Sequence, residues 1–176
     1  WPKEKSRKPN AIVSDARTRE LLVPAGIYVL TKRFTAKEER RRIVACIYDP
    51  DRIPRSSRRE EAQVDFGKDQ SLLTSAATNR GEGRVALVGF ENHLNYFHVQ
   101  GRGLPIILAK GLAAFLNSTL VDVYFRQFNG HTQVNATDLR SLNYPTIKQL
   151  ERLGRKMEGV GPAQEELDVL VERELF

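Results

Sequence analysis

The sequence has little of what dedicated chemistry is built from. Its single cysteine, Cys46, excludes an intramolecular disulfide framework and leads to the expectation of a reducing, cytoplasmic setting. Its three histidines, His93, His98 and His131, come without any C-x-x-C, H-x-H or H-E-x-x-H spacing, so no metal site is expected. No glycine-rich loop ends in Lys-Ser/Thr, no G-x-G-x-x-G follows a strand, and no G-x-S-x-G elbow occurs. Phosphate-loop enzymes, dinucleotide-binding enzymes and serine hydrolases are thereby disfavoured. The longest apolar run, Leu104 to Leu116, is broken by Pro105, Lys110 and Gly111 and is too short to span a bilayer. No membrane partner is expected, and no signal-peptide pattern opens the chain.

What the sequence does contain is a lopsided charge. Residues 1 to 60 hold 16 Lys/Arg against 8 Asp/Glu, whereas residues 61 to 176 hold 12 against 14, for a net charge of +6. A basic cluster of this kind is the electrostatic footprint of a phosphate-binding face. The 176 residues, 40% hydrophobic and 28% charged, suffice for one domain with a real core and a helical appendage.

Hydrophobic periodicity gives the elements. The opening "WPKEKSRKPNAIVSDAR" reads as an irregular, exposed arm. "GIYVLTKRF" (26–34) and "RRRIVACIY" (40–48) are β-branched and aromatic, and predict a hairpin joined by "TAKEE". The positive charge of Lys32, Arg33, Arg40, Arg41 and Arg42 would collect near one end of it. A polar loop (49–63), an ambiguous short helix before Gly81, and a strand "RVALVGF" (84–90) follow. "ENHLNYFHVQGRGLP" is a strand or loop exposing polar and aromatic groups. Residues 105–127 have apolar positions round most of a helix, which predicts one buried central helix stopped near Gly130. "HTQVN" is a short extended segment and "TDLRSL" a turn with Thr137 as its cap. Thr146 caps an amphipathic helix, and a last helix carries Leu167, Leu170, Val171 and Leu175.

The fold class is therefore α+β, with mixed, mainly antiparallel strands around one buried helix and a helical tail. The expected division is a domain with the basic arm and hairpin over 1–145 and a helical extension over 146–176. Strand and helix do not alternate strictly, which disfavours a doubly wound sheet.

Two kinds of chemistry remain. Metal-dependent phosphodiester cleavage needs converging carboxylates with a nearby lysine. Asp49, Asp51, Glu60, Glu61, Asp65 and Lys68 supply raw material in the 49–68 loop, without any Asp/Glu-x-Lys pair. Base recognition fits better, because Arg/Lys read guanine, Asn/Gln read adenine, and hydroxyls and amides hold phosphates. Lys32, Arg33, Arg40, Arg41 and Arg42 are the phosphate candidates. His93, Asn95, His131, Thr132, Gln133 and Asn135 are the base candidates. For the last group the competing role is capping a helix and satisfying backbone groups in a polar loop.

"GLAAFLNSTLVDVYFRQFNGHTQVNATDLRSLNYP" (111–145), with Leu-Asn-Ser on a helix, then Gly-x-Thr-Gln, Asp-Leu and a terminal Pro, resembles target-recognition domains of bacterial restriction-modification proteins. It is most similar to the C-terminal part of adenine-specific type II DNA methyltransferases of the TaqI-like group, and more loosely to type I specificity subunits. "LLVPAGIYVLTKRFTAKEERRRIVACIYDP" and "ENHLNYFH" share that likeness. The resemblance implies double-stranded DNA as a partner, gripped while an adenine is flipped out. It also implies a second partner, an N-terminal methyltransferase domain that holds S-adenosylmethionine and an Asn/Asp-Pro-Pro-Tyr/Phe motif. This chain has no Pro-Pro dipeptide, so no catalytic residue and no cofactor are expected within it. The alternative is a metal-dependent restriction nuclease using the 49–68 loop.

Overall fold

The computed structural model describes residues 14–52, 86–157 and 163–175. The expected arm before residue 14, most of the 49–63 loop and the ambiguous helix before Gly81 lie outside them. Within these residues five strands and five α-helices follow in order: β1 (Leu22–Pro24), β2 (Tyr28–Lys32), β3 (Ala45–Tyr48), β4 (Leu87–Gly89), β5 (Leu94–Phe97), α1 (Ile106–Leu116), α2 (Thr119–Phe128), α3 (Ala136–Arg140), α4 (Ile147–Lys156) and α5 (Gln164–Leu175). The fold is α+β, and every strand pair is antiparallel.

The expected hairpin is present, with Leu30 opposite Cys46. β2 is the middle strand of a β3-β2-β5 sheet, and β1 pairs separately with β4. Four consecutive residues of β2, Tyr28 to Thr31, are buried because the sheet is covered on both faces. Side chains alternate along a strand. Tyr28 and Leu30 accordingly pack with Cys46, Tyr48 and Val88, under the β1-β4 ribbon. Val29 and Ala45 face the other way, into a larger cluster with the helices. The second strand is shorter than the sequence suggests: β3 begins at Ala45, Lys32 N–H still donates to the Val44 carbonyl at 3.2 Å, and Arg41 and Arg42 are held instead by Asn117 and by Asp122 of the later helix.

The apolar run 105–127 is not one helix but two, bent by 59° at Asn117 and Ser118. Apolar spacing continues through the break, so periodicity misses it. The cause is polar. The Asn117 amide accepts from the Ala45 backbone N–H at 3.0 Å and donates to the Ala45 carbonyl at 2.8 Å. The Ser118 hydroxyl accepts from Val121 N–H as the cap of α2. No single helix among the described residues is long and apolar enough to cross a membrane.

The helices after residue 145 belong to the same core: Leu150, Leu153, Leu167, Val171 and Leu175 join the cluster containing α1. Thr146 caps α4 as its sequence implies. α1 and α4 cross backbone to backbone, and only glycine permits this. A Cβ on Gly111 would lie 1.8 Å from the Leu150 carbonyl oxygen, and one on Gly154 would lie 1.9 Å from that of Ile107. α5 is tied to the start of α2 by Asp168, which accepts from the Thr119 backbone N–H at 2.8 Å and from its hydroxyl at 2.6 Å.

Candidate nucleic-acid interface

The end of β2 gathers two segments distant in sequence. Arg33 N–H donates to the His93 carbonyl at 2.8 Å, on the β5 side. Val134 N–H donates to the Arg33 carbonyl at 2.7 Å, and Thr35 N–H to the Thr132 carbonyl at 3.1 Å. Phe34 thereby pairs with Gln133 in an isolated antiparallel bridge. Asn95 adds a third tie, its amide donating to the Val134 carbonyl at 2.9 Å. "ENHLNYFH" and "GHTQVN" are thus brought to one place, where Arg33, Phe34, His93, His131, Thr132 and Gln133 meet.

The outward side chains differ in how they are held. His93 is exposed, with Nδ1 2.6 Å from a Glu91 carboxylate oxygen and its ring edge-on to Phe34 at 5.0 Å. Arg33 lies over the Phe34 ring and donates to the Asn92 carbonyl at 3.4 Å. The side chains of His131, Thr132 and Gln133 make no hydrogen bond or ion pair among the described residues. Asn135 is the cap of α3, and Asp138 accepts from its backbone N–H at 3.1 Å. This corrects the expected cap, Thr137. It also gives Asn135 a part in holding the loop, as the amide of Asn95 has.

The five basic candidates divide sharply. Arg42, only 1% exposed, is locked inside. Its guanidinium donates to the Thr35 hydroxyl at 3.2 Å, to the Asn129 side chain at 3.0 Å and to the His131 carbonyl. Its backbone N–H donates to Asp122 at 2.6 Å. Arg41 points toward the opposite end of α2, donating to the Asn117 carbonyl, and burial lowers its pKa while Asp168 opposes the shift. Ten residues of helix separate those two anchor points by about 15 Å. Lys32 pairs with Glu39 at 3.1 Å, and Arg40 is exposed. Arg126 clamps the intervening loop by donating to the carbonyls of Lys37 and Glu39, each at 2.8 Å.

Arg42 is therefore the interior brace of this cluster. Asn129 donates in turn to the Gln133 carbonyl at 3.2 Å and to Asp138 at 2.8 Å. One buried network thus sets the path of residues 131–135 from behind, with Val134 turned into the core and the side chains of His131, Thr132 and Gln133 left without a protein hydrogen bond among the described residues. Phe34 is the residue that sequence reasoning missed. Its signal was an aromatic placed just after two basic residues, beyond the last residue of the ladder.

The acidic alternative is only partly within the described residues, since Glu60, Glu61, Asp65 and Lys68 fall outside them. Asp49 accepts from the Asp51 backbone N–H at 3.0 Å and pairs with Arg52 at 3.5 Å. No group of three or more His, Cys, Asp or Glu suited to a metal occurs among the described residues.

Comparison with known proteins supplies the context. The chain is 48% identical to the type II methyltransferase M.PstI of Providencia stuartii over 175 residues, 99% of this chain and 29% of that protein. Its relatives are type II methyltransferases. A second, M.BsuBI of Bacillus subtilis, is 40% identical over 174 residues, 97% of this chain and 28% of that protein. The chain thus spans less than a third of the length of these curated relatives. No protein-family model matches it, and no solved structure does.

Proposed function

We propose that this chain is the sequence-reading part of an adenine-specific type II DNA methyltransferase of a restriction-modification system, and that it binds double-stranded DNA. The observation that carries the reading is the convergence of Arg33, His93, His131, Thr132 and Gln133 at one end of the sheet, with the last three side chains uncommitted to the protein. Cation, amide and hydroxyl groups at one exposed place are the donor set that phosphates and base edges require. Similarity to the two methyltransferases supports the assignment. Arg33, Arg40 and Lys32 are assigned to phosphates, and Gln133, Thr132, His131 and His93 to base edges. Arg42, Arg41, Asn95 and Asn135 are assigned to the frame behind them.

The chain has no Pro-Pro dipeptide and no glycine-rich strand turn. S-adenosylmethionine and the catalytic groups are accordingly assigned to the remainder of a larger protein, and the chain alone is expected not to methylate.

The test is binding of the purified chain to a pool of duplexes with a randomised core, followed over a range of salt. Affinity that falls steeply with salt, together with enrichment of one sequence, is the expected result. Absence of binding at low ionic strength overturns the reading. Magnesium-dependent cleavage of the pool that is lost in Asp51→Ala would replace it with the nuclease alternative.

A further inference from the structure

We propose that Phe34 reads the C5 methyl group of a thymine in the major groove, near the base contacted by Gln133. The inference rests on the DNA-binding reading above and adds a specificity-determining residue to it. Its first support is the register. The bonds Thr35 N–H to Thr132 carbonyl and Val134 N–H to Arg33 carbonyl flank the Phe34–Gln133 pair, which itself exchanges none. That is the closer kind of antiparallel pair, with both side chains on one face and their Cβ atoms about 5 Å apart. Base pairs rise 3.4 Å per step. Whichever base Gln133 contacts, Phe34 therefore lies within about two steps of it.

The second support is exposure. Tyr28, Tyr48 and Phe90 pack against one another beside the β1-β4 ribbon, with Tyr96, 38% exposed, at their margin. Phe34 stands apart from that pile and is 40% exposed. It is nonetheless held, with Arg33 over the ring at 5.9 Å and His93 edge-on at 5.0 Å. Arg33 also donates to the Asn92 carbonyl at 3.4 Å, and His93 Nδ1 lies 2.6 Å from Glu91.

The geometry also distinguishes a methyl contact from intercalation. A ring that slots between base pairs needs both faces bare, and here a cation occupies one. What remains is an apolar edge inside a ring of polar groups. The thymine methyl is the apolar group that the major groove presents, and phenylalanine is among the side chains that contact it.

The experiment uses the full chain and the best duplex recovered from the randomised pool. Each thymine is replaced in turn by deoxyuridine, which removes only the methyl, and affinity is measured by fluorescence anisotropy. One position is expected to weaken binding about fourfold, the equivalent of one buried methyl group. In Phe34→Ala that replacement is expected to have no effect, while replacements elsewhere behave as in the original chain. Phe34→Leu, which keeps an apolar side chain, is expected to retain a methyl effect, and thermal unfolding of both variants checks that they fold. Specific binding in which no thymine methyl matters, or a methyl effect that survives in Phe34→Ala, overturns this inference and leaves the DNA-binding reading standing. Failure of the chain to bind any duplex overturns both.

Discussion

The Arg42 guanidinium donates to the Asn129 side-chain oxygen at 3.0 Å across 87 residues of sequence, and both residues are buried. Removing either partner leaves buried polar groups unsatisfied, and a charge is involved. Asn129→Ala is expected to destabilise the chain on the order of 3 kcal/mol. Arg42→Lys is expected to be comparably harmful, since a point ammonium cannot reproduce a planar fork that serves three acceptors. Urea denaturation followed by circular dichroism measures both.

The crossing of α1 and α4 makes an equally local prediction. Gly111→Ala and Gly154→Ala each place a methyl group within 2 Å of a backbone carbonyl oxygen. The expected result is a loss on the order of 3 kcal/mol, despite the roughly 1 kcal/mol that alanine gains in helix propensity. Gly130→Ala, which meets nothing within 4 Å, is expected to be near neutral in the same denaturation series.

Asp168 should contribute to acid sensitivity. Burial alone would raise its carboxyl, but hydrogen bonds from Thr119 and Gln164, with Arg41 nearby, outweigh it and hold the pKa below its ordinary value. A carboxylate depressed in the folded state stabilises above its unfolded pKa, and the contribution disappears as pH falls through the folded one. The stability of the unaltered chain is therefore expected to drop as pH falls below about 3.8. Thermal unfolding of Asp168→Asn should show a smaller acid slope, with a loss near neutrality of about 1 kcal/mol from the weakened cap of α2.

Cys46 provides a probe of global opening. Burial pushes its thiol up to about 11. At pH 8 a thiol reagent is expected to leave the native chain unmodified and to react fully once denaturant is added. Prompt reaction without denaturant would contradict the packing of β3.

On DNA, substitutions should separate by role. Arg40→Ala is expected to weaken binding to all duplexes and to reduce the slope of log affinity against log salt by about 0.9. Gln133→Ala is expected to relax preference at one position by about 1 to 3 kcal/mol. Competition assays with single-base variants of the enriched duplex distinguish the two patterns.

Residues whose environment is set locally were readable from the sequence. The β-branched run of β2 and β3 gave the hairpin, and Thr146 ahead of an amphipathic run gave the start of α4. The bridging roles of residues 117 and 129 were not readable, because an asparagine looks alike whether it faces solvent or ties distant groups together, whereas for residue 135 capping stood as the competing role and is the one the structure shows. Arg40, Arg41 and Arg42 show the same limit. Adjacent and chemically identical, they end up exposed, half-buried and buried, according to partners some 80 residues away. Phe34 was overlooked because a strand aromatic ordinarily packs inward.

The junction of Arg33 with His93 and Val134, and of Thr35 with Thr132, is made by backbone groups, which every residue type except proline can supply in full. The outward side chains at 93, 131, 132 and 133 can therefore be exchanged with little penalty to folding. Under the proposed DNA-reading role, such a chain can acquire a new DNA address by point substitution while its frame stays the same, so target preference is free to drift faster than architecture.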